Sequence, residues 1–382
     1  MTKKRLLSLL LALLLVLSSV PVSAQNFDTA AGVAALMEAS TGQFLFLKNA
    51  DEPRPPASIT KVMTLLLAFE ALEHGDINWD TTTIVSERAW QKEGSSMFLQ
   101  VDTEVTVEEL ISGISIVSAN DGCVALAELL AGSEEAFVQQ MNQRALELGM
   151  TNTKFQNATG LPAEGHYMSA RDIAVLAREL ITKHPRILEF ESQREYTYNN
   201  IKQQNRNPLL GRFQGADGLK TGWTPESGYS LAGTAEQNGM RLISVTLNTN
   251  SDQERLVASQ ELLNYGFRNF TFTQPAAEGD VLGELQVQDG KKQTVALTVS
   301  EDLKVLAPKN RENDLQLVVA DEKSLTAPVE QGTEAATLLV QLDGETLLSK
   351  PLVTAEAVPR ANFFVRIFRS IIAFIRGLIK RV

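Results

Sequence analysis

Pro55-Pro56-Ala57-Ser58-Ile59-Thr60-Lys61 leads into a run, Val62 to His74, that is apolar nearly all round and stops at Gly75. The pattern predicts a helix from Ser58 to His74 at the centre of a domain rather than on its surface. Residues three apart share a helix face, so Lys61 lies one turn below Ser58, within reach of its hydroxyl. A serine hydroxyl is a weak nucleophile and needs an adjacent base. A lysine held dry beside another cation can lose its proton and act as that base. The helix N-terminus adds positive potential where an oxyanion develops. The plainer reading of Ser58 is a helix N-cap.

Two further motifs lie downstream. Ser118-Ala119-Asn120 falls in the break between two predicted helices. Lys220-Thr221-Gly222 follows Asp217-Gly218-Leu219, just ahead of a hairpin. Gly222 would let a strand backbone approach a ligand closely. Lys220 and Thr221 would offer a cation and a hydroxyl to a carboxylate. Each motif alone is weak, and the plain reading of the third is a polar turn. Ser58 is, however, the only serine followed three places later by lysine, and Lys-Thr-Gly occurs once. The order Ser-x-x-Lys, Ser-x-Asn, Lys-Thr-Gly, with steps of 60 and 102 residues, is the set shared by class A β-lactamases and penicillin-binding proteins. Ala119 stands where that set has Asp; the two outer residues carry the chemistry.

With Tyr167-Met168-Ser169-Ala170-Arg171-Asp172 and Asn205-Arg206-Asn207 added, almost the whole chain resembles the low-molecular-mass penicillin-binding proteins. These are serine-type D-alanyl-D-alanine carboxypeptidases of the bacterial envelope. The resemblance implies an α/β (α+β) catalytic domain of the DD-peptidase/β-lactamase kind, a small all-β domain and a C-terminal amphipathic helix. It implies that Ser58 attacks the D-Ala-D-Ala carbonyl of peptidoglycan stem peptides and is acylated by β-lactam antibiotics. Lys61 then takes the proton, Ser118 relays one to the leaving D-Ala, and Asn120 holds Lys61 and the substrate amide. Lys220 and Thr221 orient the terminal carboxylate, and Arg255 attracts it. The N–H groups of Ser58 and Trp223 form the oxyanion hole. No metal or other cofactor is implied. The plain reading of Arg255 is an exposed arginine at a helix start. A class A β-lactamase needs a Glu-x-x-Leu-Asn pattern between the second and third motifs, and none lies between Asn120 and Lys220. A non-catalytic scaffold with a relic pocket would be expected to have lost one of the five polar residues.

The rest of the chain organises around these motifs. Val33–Ala39 and Gln43–Lys48 read as a hairpin, as do Tyr229–Ala235 and Met240–Leu247 around Asn238-Gly239. Thr106 opens a helix with a capping box. Helices are expected over Asp121–Ala131, Glu134–Leu148 and Leu256–Tyr265. The catalytic domain is placed at 25–272. From Pro275 the texture becomes short alternating runs with turns at Asp289-Gly290 and Asp343-Gly344, so 275–358 is expected to be all-β. Cys123, the single cysteine, excludes an intrachain disulfide; it lies near Asn120, so bulky thiol reagents are expected to inhibit sterically. His166 is assigned to a loop.

Charge is distributed unevenly. All 46 acidic residues lie between Asp28 and Glu356 with only 26 basic ones, a net −20 that repels phosphate and argues against nucleic acid. Lys3, Lys4 and Arg5 precede the apolar run Leu6–Leu17 and Val22-Ser23-Ala24, so residues 1–24 read as a cleaved secretory signal. At 100° per residue, the apolar side chains of 363–382 share one arc and Arg366, Arg369, Arg376 and Lys380 another. This reads as an in-plane membrane anchor, in a tail at 360–382. It would hold the enzyme on the outer face of the bacterial cytoplasmic membrane, facing the periplasm.

Overall fold

The structure, a computed structural model, describes residues 27–369. The expected secretory signal, residues 1–24, and most of the tail lie outside the described residues.

A five-stranded antiparallel sheet is built from both ends of the first domain. The N-terminal hairpin gives β1 (Val33–Glu38) and β2 (Phe44–Lys48); β3 (Ala216–Thr224), β4 (Gly228–Gln237) and β5 (Met240–Thr249) come from far along the chain. The spatial order is β2-β1-β5-β4-β3. Asn238 and Gly239 both have positive φ, which is the geometry of the tight hairpin turn their sequence announces. Every residue of β1 is buried because the sheet is covered on both faces. Side chains alternate across a strand: Val33, Ala35 and Met37 enter one core, and Ala34 and Leu36 the other.

The larger core holds the helices. These are α1 (Lys61–His74), α2 (Val107–Ser112), α3 (Asn120–Ala131), α4 (Glu134–Glu147), α5 (Ala170–Lys183) and α6 (Ile187–Glu191). As its all-round apolarity requires, α1 is buried along its first half. It begins three residues later than expected, because Ala57–Thr60 form a 3₁₀ turn. The capping box at Thr106 is present. α5 has no counterpart in the sequence reading, although Ser169 caps it by accepting from the Asp172 N–H at 3.1 Å. The opposite face of the sheet carries α7 (Asp252–Asn269), longer at both ends than expected.

The second domain is all-β. A strand pair, β6 (Phe270–Ala276) and β9 (Leu303–Pro308), adjoins a six-stranded sheet. The sheet comprises β7 (Val281–Gln288), β8 (Thr294–Thr298), β10 (Gln316–Ala320), β11 (Leu325–Thr326), β12 (Glu334–Leu342) and β13 (Glu345–Thr354), in the order β10-β12-β13-β8-β7-β11. Asp343-Gly344 is the expected two-residue turn, with positive φ at both residues. Asp289-Gly290 is not: the connection runs on to residue 293, because it is recruited by the exit segment. The Lys291 N–H donates to Pro359 O and the Ala361 N–H to Asp289 O.

Residues 363–369 are helical, with Phe363, Phe364 and Phe368 exposed. Arg366 pairs with Asp289 at 3.2 Å, and Arg369 Nη1 donates to Gly290 O at 2.7 Å. The first arginines of the cationic face are thus held by the β domain rather than left free for lipid headgroups. No described helix is long and apolar enough to cross a membrane.

Candidate active site

The 3₁₀ turn at Ala57–Thr60 is what aligns the first motif. Side chains three apart eclipse in a 3₁₀ turn, and Lys61 Nζ donates to Ser58 Oγ at 3.0 Å. Ser58 is not an N-cap; its turn makes no side-chain capping bond. Lys61 Nζ also donates to Thr159 O at 2.6 Å. Two glycines press on this turn. A Cβ at Gly160 would stand 1.8 Å from Ala57 O, and one at Gly222 would stand 2.7 Å from Pro56 O. Gly222 thus approaches the turn carrying Ser58 closely, while it also lines the cleft.

Lys61 is wholly buried, and desolvation pushes its pKa down to about 8. Lys220, on β3, is almost as buried. Desolvation, followed by the charge of Lys61, pushes it down to about 7. The two ammonium groups disfavour each other in a dry site. Glu191, at the end of α6, is fully buried near Gly218, where the Lys220 charge opposes the effect of burial. Burial pushes its pKa up to about 8.

Ser118 ends a π-helical turn, Gly113–Val117, and adopts the left-handed region at φ 62°. A non-glycine residue held there is strained, and such strain gathers at functional sites. Its Oγ is buried with no partner among the described residues. Asn120 opens α3. Its Nδ2 donates to Glu93 O at 2.8 Å, and its Oδ1 is buried and unpartnered. Asn120 makes no hydrogen bond to Lys61, contrary to expectation, although two acceptors leave that ammonium one N–H unused. Next to it, Asp121 accepts from Ser96 Oγ and from the N–H groups of Met97 and Leu99, which fixes the loop facing β3.

One cleft of ≈ 670 Å³ gathers Ser58, Ser118, Asn120, Thr221, Trp223 and Arg255, with Gly222 also in its wall. Lys61 and Lys220 lie buried and are not part of its lining. Trp223 is half exposed. Arg255 is buried rather than exposed: it pairs with Asp252, donates to Gly222 O at 3.2 Å and lies 5.4 Å over the Tyr229 ring. Sites separated by up to 197 residues thus converge from the 3₁₀ turn, the α2–α3 junction, β3 and α7.

The profile described as D-alanyl-D-alanine carboxypeptidase matches residues 20–251, and that of the penicillin-binding protein 5 C-terminal domain matches 270–360. The chain belongs to the D-alanyl-D-alanine carboxypeptidase family. It is 36% identical to the D-alanyl-D-alanine carboxypeptidase DacF of Bacillus subtilis, over 96% of this chain and 98% of that one. It superposes on penicillin-binding protein 5 from Haemophilus influenzae with a TM-score of 0.80 at 34% identity, covering 87% of this chain and 99% of that one. Penicillin-binding protein D2 from Listeria monocytogenes, in an ampicillin-bound form, matches with a TM-score of 0.58 at 34% identity, over 63% of this chain and 99% of that one. As a member of this family the chain is a serine-type carboxypeptidase, a hydrolase.

Three features of this carboxypeptidase had no usable signal in its sequence. Thr159 contributes a backbone carbonyl, which any residue could supply. Glu191 is one acid among many. Arg206, whose Nη1 donates to Ser95 Oγ at 2.7 Å on the cleft wall, stands in Asn205-Arg206-Asn207, where no spacing points to the cleft. Cys123 is buried in α3, and burial pushes its thiol up to about 12, which disfavours the thiolate and works against the inhibition expected of thiol reagents. His166 does serve a loop. Its Nε2 lies 2.9 Å from Thr60 Oγ1, and the Gln156 N–H donates to its Nδ1 at 3.4 Å. Desolvation lowers its pKa to about 4, so the ring is neutral at physiological pH.

Proposed function

We propose that this carboxypeptidase hydrolyses the terminal D-Ala-D-Ala bond of peptidoglycan stem pentapeptides through an acyl-enzyme on Ser58. The observation that carries the reading is the 3.0 Å bond from a fully buried Lys61 to Ser58 Oγ at the floor of the cleft. Ser58 Oγ attacks the carbonyl carbon of the penultimate D-Ala while its proton moves to neutral Lys61. The N–H groups of Ser58 and Trp223 receive the oxyanion. Ser118, whose hydroxyl has no partner among the described residues, relays the proton from Lys61 to the leaving amine; the C–N bond breaks and D-Ala departs. Water then cleaves the ester and restores Ser58. Lys220, Thr221 and Arg255 hold the terminal carboxylate, and Asn120 Oδ1 is free to accept from the substrate amide. Penicillins enter the same path, a reading supported by the ampicillin-bound relative.

Release of D-Ala from a synthetic pentapeptide by the purified protein, with its pH profile, tests this reading. Below about 7 both lysines hold protons and no base is present; well above about 8 both are neutral and the carboxylate loses its cation. Between them the pair holds one proton, and the active form is the one that carries it on Lys220 and leaves Lys61 neutral. The expected kcat/KM therefore rises with pH through the lower value and falls above the higher one. A flat profile across this range, or no D-Ala release, would contradict the assignment.

The exposed aromatic face at 363–368 supports a peripheral membrane anchor, and with it export to the periplasmic face of the inner membrane. Deleting the residues after Pro359 is expected to move the protein from the membrane pellet to the supernatant with its activity intact. A truncated protein that still sediments with vesicles would remove the anchor.

A further inference from the structure

Glu191 is a fully buried acid that the proposed reaction leaves without a task. Other buried acids of this domain have evident partners. Glu134 pairs with Arg88 and Lys92, and Asp121 accepts from Ser96 Oγ and two backbone N–H groups. Among the described residues, Glu191 is in no ion pair of that kind. A carboxylate held dry without compensation is costly.

Three segments enclose it. α6 ends at Glu191 and packs against β3 and against the π-helical turn Gly113–Val117. On β3, Gly218 and Lys220 are two residues apart and share one face, opposite Thr234 and Ala232 of β4. A Cβ at Gly218 would stand 3.7 Å from Glu191 Cβ. The bare backbone at Gly218 thus makes room for Glu191 on the face that carries Lys220. From the π-helical turn, the Ser115 hydroxyl favours the ionised form of this carboxyl. The same turn ends at Ser118. Asn205 Nδ2 donates to Glu191 O at 3.1 Å, which ties the end of α6 to the segment that puts Arg206 in the cleft wall.

The two lysines have different charged neighbours. Lys220 is faced by Lys61 from α1, Glu191 from α6, Arg206 from the segment after α6 and Cys123 from α3. Lys61 is faced by Cys123 and Asp121 from α3, by Arg206 and by Lys92. Glu191 is the acid of the first group, and Asp121 that of the second. Among the described residues Lys220 has no direct ion pair, so Glu191 acts on it by charge across a dry interior, where such effects carry beyond contact. Burial favours the neutral carboxyl, and the Lys220 charge opposes this. The carboxylate is therefore favoured beside a charged Lys220, and a charged Lys220 beside the carboxylate.

We propose that Glu191 is a positioning residue that keeps the single proton of the lysine pair on Lys220 and leaves Lys61 neutral. This rests on the proposed acyl-enzyme reaction and adds what directs its proton. Lys61 must be empty to take the proton of Ser58, and Lys220 must be charged to hold the substrate carboxylate. Without Glu191, the acid left beside the pair is Asp121, which favours the proton on Lys61. Glu191 touches no reacting atom and works only through Lys220.

The test is the pH profile of D-Ala release by the full chain carrying Glu191→Gln, which keeps the shape of the side chain and removes its charge. Without the anion, Lys220 gives up its proton at lower pH, so the falling limb of kcat/KM is expected to move down by about one pH unit. The maximum should fall about tenfold, the equivalent of one unit of proton preference passing from Lys220 to Lys61. Glu191→Asp keeps the charge and should return the limb most of the way to its wild-type position. Ser115→Ala leaves the buried carboxyl in place and should move the limb in the same direction as Glu191→Gln, by a smaller step. A purely structural role would lower the rate alike at every pH. Limbs that stay in place in Glu191→Gln, or a Glu191→Asp profile that matches it, would overturn the proposal. Absence of D-Ala release in the wild type would instead strike the proposed function beneath it.

Discussion

Ser58→Ala is expected to abolish both D-Ala release and covalent labelling by penicillin, with a fall in kcat/KM of about 10⁴-fold or more. The change removes one oxygen and keeps the Cβ, so the backbone of the Ala57–Thr60 turn has no reason to move. Lys61 Nζ retains its 2.6 Å bond to Thr159 O, so no buried ammonium is left without a partner. The loss of rate should therefore come without a matching loss of stability, and a thermal melt within a few degrees of wild type checks this. Intact-mass measurement after incubation with penicillin should show no adduct. Retained D-Ala release would show that the nucleophile is another group, and an adduct mapped elsewhere would identify it.

Gly160→Ala is expected to damage folding and chemistry together. Its Cβ would lie 1.8 Å from Ala57 O and 2.4 Å from Ala57 C, both backbone atoms that cannot rotate aside. The residue also has φ 83°, where an L side chain is strained. A clash with backbone at a left-handed position is expected to cost about 3 kcal/mol or more. The relief route pushes Ala57 and hence Ser58 away from Lys61. A displacement of about 1 Å at a reacting group can cost about 10²-fold in rate. Gly32→Ala is the control, since nothing lies within 4 Å of a Cβ placed there. A Gly160→Ala protein that melts like Gly32→Ala and acylates at the wild-type rate would show that the turn yields without consequence.

Much of the fold could be read from local pattern. The Asn238-Gly239 and Asp343-Gly344 turns, the capping box at Thr106 and the burial of α1 depend on neighbours a few residues away, and these are where expectation and structure agree. α5 escaped although Ile173, Leu176, Ala177, Leu180 and Ile181 keep helical spacing on one buried face. The Asp289-Gly290 turn differed because Arg360, Arg366 and Arg369, remote in sequence, converge on it.

By itself the sequence determined the family of chemistry: three motifs in order, one serine with a lysine three places on, and a chain that changes to short strands after Pro275. Those are consequences of spacing along one chain, where helix and strand periods settle which side chains share a face. Only the tertiary structure decided how the motifs are held. Lys61 is fixed by a carbonyl 98 residues away, Gly222 packs against the turn at Pro56, and Asn120 Nδ2 is held by Glu93 O. Whether Lys61 and Lys220 titrate near neutrality likewise depends on burial, and burial is created by packing of segments that the sequence keeps apart.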